Sequence, residues 1–186
     1  MTTQNKKGFT IIEVVLVLAI AGLIFLMVFI ALPALQHSQR HTQRSDDLSR
    51  FLTAANSYQS NNNGKTPFKK GENGAKSVDV NFVTRYIDES CTQDTTGDAA
   101  GIGYTCTDGS EFTDPDGNVY KLVYEGDAGD PSSTVTGTWE TNDHKIHVYT
   151  YASCGDEGVA VRGTGERQYA MFYVLEGGAI ACNDNH

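Results

Sequence analysis

The sequence predicts an α+β chain, with one long N-terminal helix ahead of an antiparallel β-sheet. Three observations predict it. Residues 9–35 are 27 positions of which only Thr10 and Glu13 are polar; as a helix rising about 1.5 Å per residue they reach roughly 40 Å, enough to cross a hydrocarbon core. Leu48, Phe51, Leu52, Ala55 and Tyr58 recur at spacings of three and four, the period of an amphipathic helix. Residues 119–124, 145–151 and 168–175 are rich in Val, Ile and Tyr or alternate in polarity, as half-buried strands do.

In chain order, residues 1–8 are a short polar leader with Lys6 and Lys7. Positive charge beside an apolar span favours the cytoplasmic side, although Arg40 and Arg44 beyond the span weaken the asymmetry. A secretory signal peptide fits poorly. Its apolar core is shorter and ends in small residues, whereas residues 32–37 here read Leu-Pro-Ala-Leu-Gln-His. Residues 36–45 are polar all round and suit a bridge out of the membrane. Residues 36–63 are expected to continue the helix, with Asp46 and Arg50 spaced to pair on one face. The Asn61-Asn62-Asn63-Gly64 cluster should end it. Pro33 removes one helical hydrogen bond and is expected to kink or loosen the turn before it; Gly22 lies eleven residues earlier.

Residues 64–186 are expected to form one modest globular domain. Within it, residues 65–76 are a Lys-, Gly- and Asn-rich connector. Residues 77–87 place Val80, Val83 and Ile87 on one helical face behind Ser77 or Asp79 as a cap. Residues 88–118 read as irregular. The strands follow, separated by a polar Gly/Ser/Thr loop at 126–138. The sequence closes on a hairpin through Gly177-Gly178.

Charge is unevenly placed. The leader carries +2, residues 9–64 are neutral, and in residues 65–186 nine Lys and Arg stand against twenty Asp and Glu, a net of −11. Nucleic-acid binding draws on a positive field, so no direct nucleic-acid contact is expected. Four cysteines, Cys91, Cys106, Cys154 and Cys182, all lie in the acidic part. None forms a Cys-x-x-Cys pair, which argues against zinc. An even count in an exported domain reads as two disulfides. Three connectivities are open, of which we favour the sequential one, Cys91–Cys106 with Cys154–Cys182. It also puts residues 65–186 outside the cytoplasm.

Residues 6–13, Lys-Lys-Gly-Phe-Thr-Ile-Ile-Glu, carry the sharpest signal. An acid inside an apolar run costs several kcal/mol unless something neutralises it. A cut between Gly8 and Phe9 would place a new amine beside Glu13. The octet resembles the processing site of type IV prepilins, including the pseudopilins of type II secretion and of DNA uptake. The resemblance implies cleavage after Gly8 by prepilin peptidase, methylation of the freed Phe9 amine, and pairing of Glu13 with a neighbour's amine during assembly. It implies a pilin fold, with the helix stripe packed on the sheet, and a homo-oligomeric filament. The chain would sit in the cytoplasmic membrane first and in an extracellular pilus afterwards. Its partners would be the assembly platform and minor pilins, and its uses adhesion, twitching motility or DNA uptake. Filaments of this family often unwind between a glycine and a proline placed like Gly22 and Pro33. The alternatives are a pseudopilin, or an unprocessed membrane-anchored binding domain, which would have no use for Glu13.

Residues 114–120, Asp-Pro-Asp-Gly-Asn-Val-Tyr, have two readings. Asp114, Asp116 and Asn118 offer three oxygens within five residues, suited to a hard cation such as calcium, and the segment resembles the Asp-Pro-x-Gly-Asn-x-Tyr stretch near the calcium site of major pseudopilins. The same residues spell a type I turn. No other cofactor is expected. His144 and His147 are three apart on an expected strand and face opposite sides. No catalytic constellation is legible, and the expected role is mechanical.

Overall fold

The computed structural model describes residues 8–70, 76–93, 104–107, 113–128, 144–156, 160–165 and 167–185. Most of the leader, the polar loop from residue 129 on, and parts of the 65–76 and 88–118 segments lie outside them. The chain divides into two units, Met1–Gln39 and Arg40–His186.

Helix α1, Ile11–Asn61, holds all of the first unit's described secondary structure and enters the second. It is the one helix among the described residues long and apolar enough to cross a membrane. Gly22 and Pro33 both lie inside it. Its buried residues are Arg44, Asp47, Leu48, Phe51, Ala55 and Tyr58, so the stripe read from the sequence is the buried face, with Leu52 at its edge. The helix ends where the Asn/Gly cluster begins. Asn63 and Gly64 take left-handed backbone, φ 56° and 77°, and the Gly64 amide donates to the Gln59 carbonyl at 2.8 Å, closing the C-terminal turn with a residue that bears φ > 0 without strain.

The main sheet has four strands in the order β10-β9-β6-β5: β5 is Lys121–Asp127, β6 Lys145–Thr150, β9 Tyr169–Val174 and β10 Ile180–Asp184. It is mixed rather than wholly antiparallel, because β5 pairs with β6 in parallel. Parallel neighbours need a crossover of a dozen residues or more, and the long connection 128–144 supplies that length. The expected closing hairpin is present as β9 and β10, with Tyr173 opposite Ala181 and Phe172 opposite Cys182. Gly177 and Gly178 carry φ of 89° and 87° at its turn.

Short hairpins surround this sheet. Phe68–Lys70 (β1) pairs with Lys76–Val78 (β2), and Cys91–Gln93 (β3) with Tyr104–Cys106 (β4). Cys91 lies opposite Cys106 in register and is bonded to it, so the 88–118 segment is pinned as expected but contains a ladder that its polar composition hid. The expected helix over 77–87 is shorter and changes type along its length. Ser77 belongs to β2. Asp79 caps a turn at Val80–Phe82 (α2), its carboxylate accepting from the Asn81 amide, and a π-helical turn follows at Val83–Ile87. Phe82 and Val83 are buried and Ile87 packs against the core, while Val80, the first residue of the turn, is exposed. Tyr151, expected as the end of a strand, takes φ 54°. This break starts a new strand, Ala152–Cys154 (β7), paired with Ala160–Arg162 (β8).

One core unites the α1 stripe with Leu122, Tyr124, Ile146, Val148, Met171 and Tyr173 from one sheet face. Phe51 is fully buried and sets its ring edge-on to Tyr104 and Tyr120, with centroids 6.3 and 6.1 Å away. The opposite face holds a smaller cluster of Ala128, Ala152, Ala170 and Phe172, clipped by the Cys154–Cys182 bond. Phe51→Ala is expected to destabilise the globular unit by about 3–5 kcal/mol, read by urea unfolding of the detergent-solubilised chain. A loss below about 0.5 kcal/mol, the range of surface substitutions, would contradict this packing.

Candidate functional site

Two places concentrate functional side chains. The first is the start of α1. Thr10 is the residue before the helix, and its backbone N–H donates to Glu13 Oε2 at 2.9 Å. Its hydroxyl donates to the same oxygen at 2.8 Å. A glutamate three residues into a helix that reaches back to the capping residue satisfies a backbone donor the helix cannot use, and its negative charge suits the helix N-terminus. Glu13 is thus held in place by its own helix. Gly8 and Phe9 precede it, and Phe9 is 89% exposed. Every residue of this apolar half from Gly8 to Gln39 is exposed apart from Ala21, which is half-buried. Exposed large side chains run from Phe9 through Leu35. A continuous apolar surface of this extent calls for lipid or other protein around it.

The second place lies wholly within the globular unit. The expected turn is present: the Gly117 amide donates to the Asp114 carbonyl at 2.7 Å, and the Asp116 amide to Asp114 Oδ1 at 3.0 Å. The Asp114 carboxylate is 2% exposed. Its charge is met by Arg44 of α1, whose Nε and Nη2 donate to its two oxygens at 2.7 and 2.8 Å. The Tyr173 hydroxyl of β9 also donates to Asp114, at 2.7 Å. Arg44 Nη2 reaches Asp116 at 2.9 Å, and Nη1 reaches Glu176 in the β9–β10 turn at 2.8 Å. Arg40, one turn earlier, forks onto Glu176 at 2.8 and 2.9 Å. Asn118, the third expected cation ligand, turns its amide nitrogen to His144 Nε2 at 3.1 Å. His147 stands apart, its Nδ1 2.8 Å from Glu125, so the two histidines have separate partners.

Within the polar 36–45 stretch, Arg44 is buried, at 1% exposed. The spacing that defines the stripe at 48, 51, 55 and 58 reaches back four residues to 44, and that signal was available in the sequence. Its charged residue masked it. Beside it, Asp47 accepts from the Tyr120 hydroxyl at 3.2 Å and from Arg50 at 3.4 Å.

Burial alone would raise the Asp114 carboxyl, but hydrogen bonds from Arg44, Tyr173 and the Asp116 amide outweigh it and leave its pKa at about 2. Hydrogen bonding from Arg40, then from Arg44, overcomes the smaller effect of burial at Glu176 and brings it to about 2. Both folded values lie below the unfolded ones of about 4. The stability they contribute is therefore complete above the unfolded values and lost as pH falls through about 2. Asp114 alone is worth about 2 kcal/mol by this linkage. Asp47 works the other way, because burial raises it, so protonation in acid relieves the cost of its buried charge. The melting temperature should fall between pH 5 and pH 2, and Asp114→Asn should lower it at pH 7 while flattening that fall. An unchanged slope in the variant would contradict the assignment.

Residues 3–29 match the family model described as the prokaryotic N-terminal methylation motif. No curated protein and no solved structure matches the chain significantly. The match covers the octet, Glu13 and Gly22, and stops before Pro33 and the globular unit. With its apolar helix, its stripe packed on a sheet and two disulfides, the chain has a pilin-like α+β fold and carries a type IV prepilin-like signal motif at its N-terminus.

Proposed function

We propose that this chain is a type IV pilin, a structural subunit of an extracellular filament, made as a precursor and processed after Gly8. The single observation that carries the reading is Glu13, an acid at the fifth position after the proposed cleavage point, in the exposed apolar part of α1. Cleavage would leave Phe9 with a free amine, which the family methylates. In the precursor, Glu13 is held by the Thr10 N–H and hydroxyl. On assembly its carboxylate would meet the Phe9 amine of a neighbour. In a low-dielectric filament core a stranded charge is far more costly than at a surface, so this pair would set axial register while the apolar side chains from Phe9 to Leu35 supply cohesion. The acidic globular unit favours solubility outside.

Prepilin peptidase, an assembly platform and minor pilins are the partners this reading requires. Before assembly the chain would be a single-pass protein of the cytoplasmic membrane. The role is mechanical, serving adhesion, motility or DNA uptake. A second reading, a pseudopilin of type II secretion or DNA uptake, is favoured by the Asp-Pro-Asp-Gly-Asn-Val-Tyr segment at residues 114–120; it differs in filament length and partners.

Glu13→Ala should be cleaved normally but form no filaments by electron microscopy; normal filaments from it would sink the register role. Gly8→Ala should slow or block cleavage, seen as a heavier band on immunoblots. Wild-type processing of that variant would count against the peptidase.

A further inference from the structure

We infer that Arg44 is a built-in cation for the Asp114–Asn118 turn, filling the place that a calcium ion would need and making the globular unit independent of calcium. Most of the carboxylate oxygens that would ligate a metal already accept from donors. Both Asp114 oxygens accept from Arg44, and one also takes the Tyr173 hydroxyl. Asp116 accepts from the same guanidinium. Glu176, the next nearest carboxylate, takes Arg44 on one oxygen and Arg40 on both. Asn118 presents its amide nitrogen to His144.

Calcium asks for six to eight oxygens at 2.3–2.6 Å, and a guanidinium with no exposed side-chain surface cannot share that position with an ion. The residues of the turn therefore do not fit a resident metal while Arg44 is there. The planar fork suits the task. It is always charged, offers five donors at fixed angles and meets a carboxylate on two points. Arg44 uses Nε, Nη1 and Nη2 to join three acids from two separate turns, and its guanidinium carbon lies 5.7 Å from the centre of the Tyr173 ring. Placed on α1, it couples the helix to the loop before β5 and to the β9–β10 hairpin. A free ion would hold the loops but not the helix. This inference stands on the globular unit alone and holds whether or not the chain forms filaments.

The consequence is sharp. Without Arg44, Asp114, Asp116 and Glu176 would converge with Arg40 on Glu176 and the His144 ring 3.8 Å from Asp114, and a divalent cation would become useful. The test is the thermal melt of the full detergent-solubilised chain in millimolar calcium and in chelator, with terbium luminescence sensitised by Tyr120 and Tyr173 as a direct reading of metal entry. Wild type should melt at the same temperature in both and give no saturable terbium signal. Arg44→Gln should melt lower in chelator, recover part of the loss in calcium, and gain a saturable terbium signal. A wild-type chain stabilised by calcium, or an Arg44→Gln chain blind to it, would overturn the proposal. Should Arg44→Gln not fold, Asp116→Asn decides, because it spares the buried Asp114 pair. Its melting temperature should drop by the same amount in calcium and in chelator. A drop seen only in calcium would mean that a metal, and not Arg44, uses that carboxylate.

Discussion

The globular unit depends on one buried positive charge. A guanidinium without water must be matched on nearly every donor, or its burial costs several kcal/mol. That demand dictates where Asp114, Asp116 and Glu176 must lie, and they come from two turns far apart in sequence. Satisfying Arg44 therefore brings the Asp-Pro-Asp-Gly turn and the β9–β10 turn to the same side of α1. The apolar stripe from Leu48 to Tyr58 supplies most of the burial, and apolar contact tolerates small slips. The ion cluster does not, so it fixes the register of the helix against the sheet. The two disulfides complete the job, one across the β3–β4 ladder at the edge of the same core and one between β7 and β10 on the opposite sheet face.

The first unit follows a different rule. Its apolar side chains from Phe9 to Leu35 stand exposed, a surface that calls for lipid or other protein. A single acid stands in this surface, and it is tied to Thr10 through a capping arrangement that any helix can use. Cleavage after Gly8 would change the chemistry at one point only, by turning the Phe9 nitrogen into a cation a few residues from Glu13. On the proposed reading the same helix would serve as a membrane span before that change and as an assembly surface after it. Both roles would need the long apolar face, and only the second would need the acid.

Periodicity made the long helix, its end at the Asn/Gly cluster and its buried stripe legible in the sequence, because each is a local property of spacing. The closing hairpin was legible from Gly177-Gly178, and the sequential cysteine pairing agrees with the bonds formed. The parallel pairing of β5 with β6 was not, since strand direction depends on the path of the connection and not on the strands' residues. The short ladders β1–β2, β3–β4 and β7–β8 were hidden by their three-residue length. The 77–87 segment was legible at Val83 and Ile87, which meet the core, but not at its start, where Ser77 pairs in β2. Arg44 was missed for another reason. The period pointed to position 44, but its charge argued for water, and only the three distant acids explain why burial won.

The central claim is that this chain is a precursor cut after Gly8, and the intact mass of the chain recovered from its native cell surface tests it most directly. The non-reduced mass should correspond to residues 9–186 with a methylated Phe9, less four hydrogen atoms for two disulfides, and alkylation without reduction should add nothing. A mass that includes residues 1–8 would mean an uncut membrane anchor, and the filament account would fail with it.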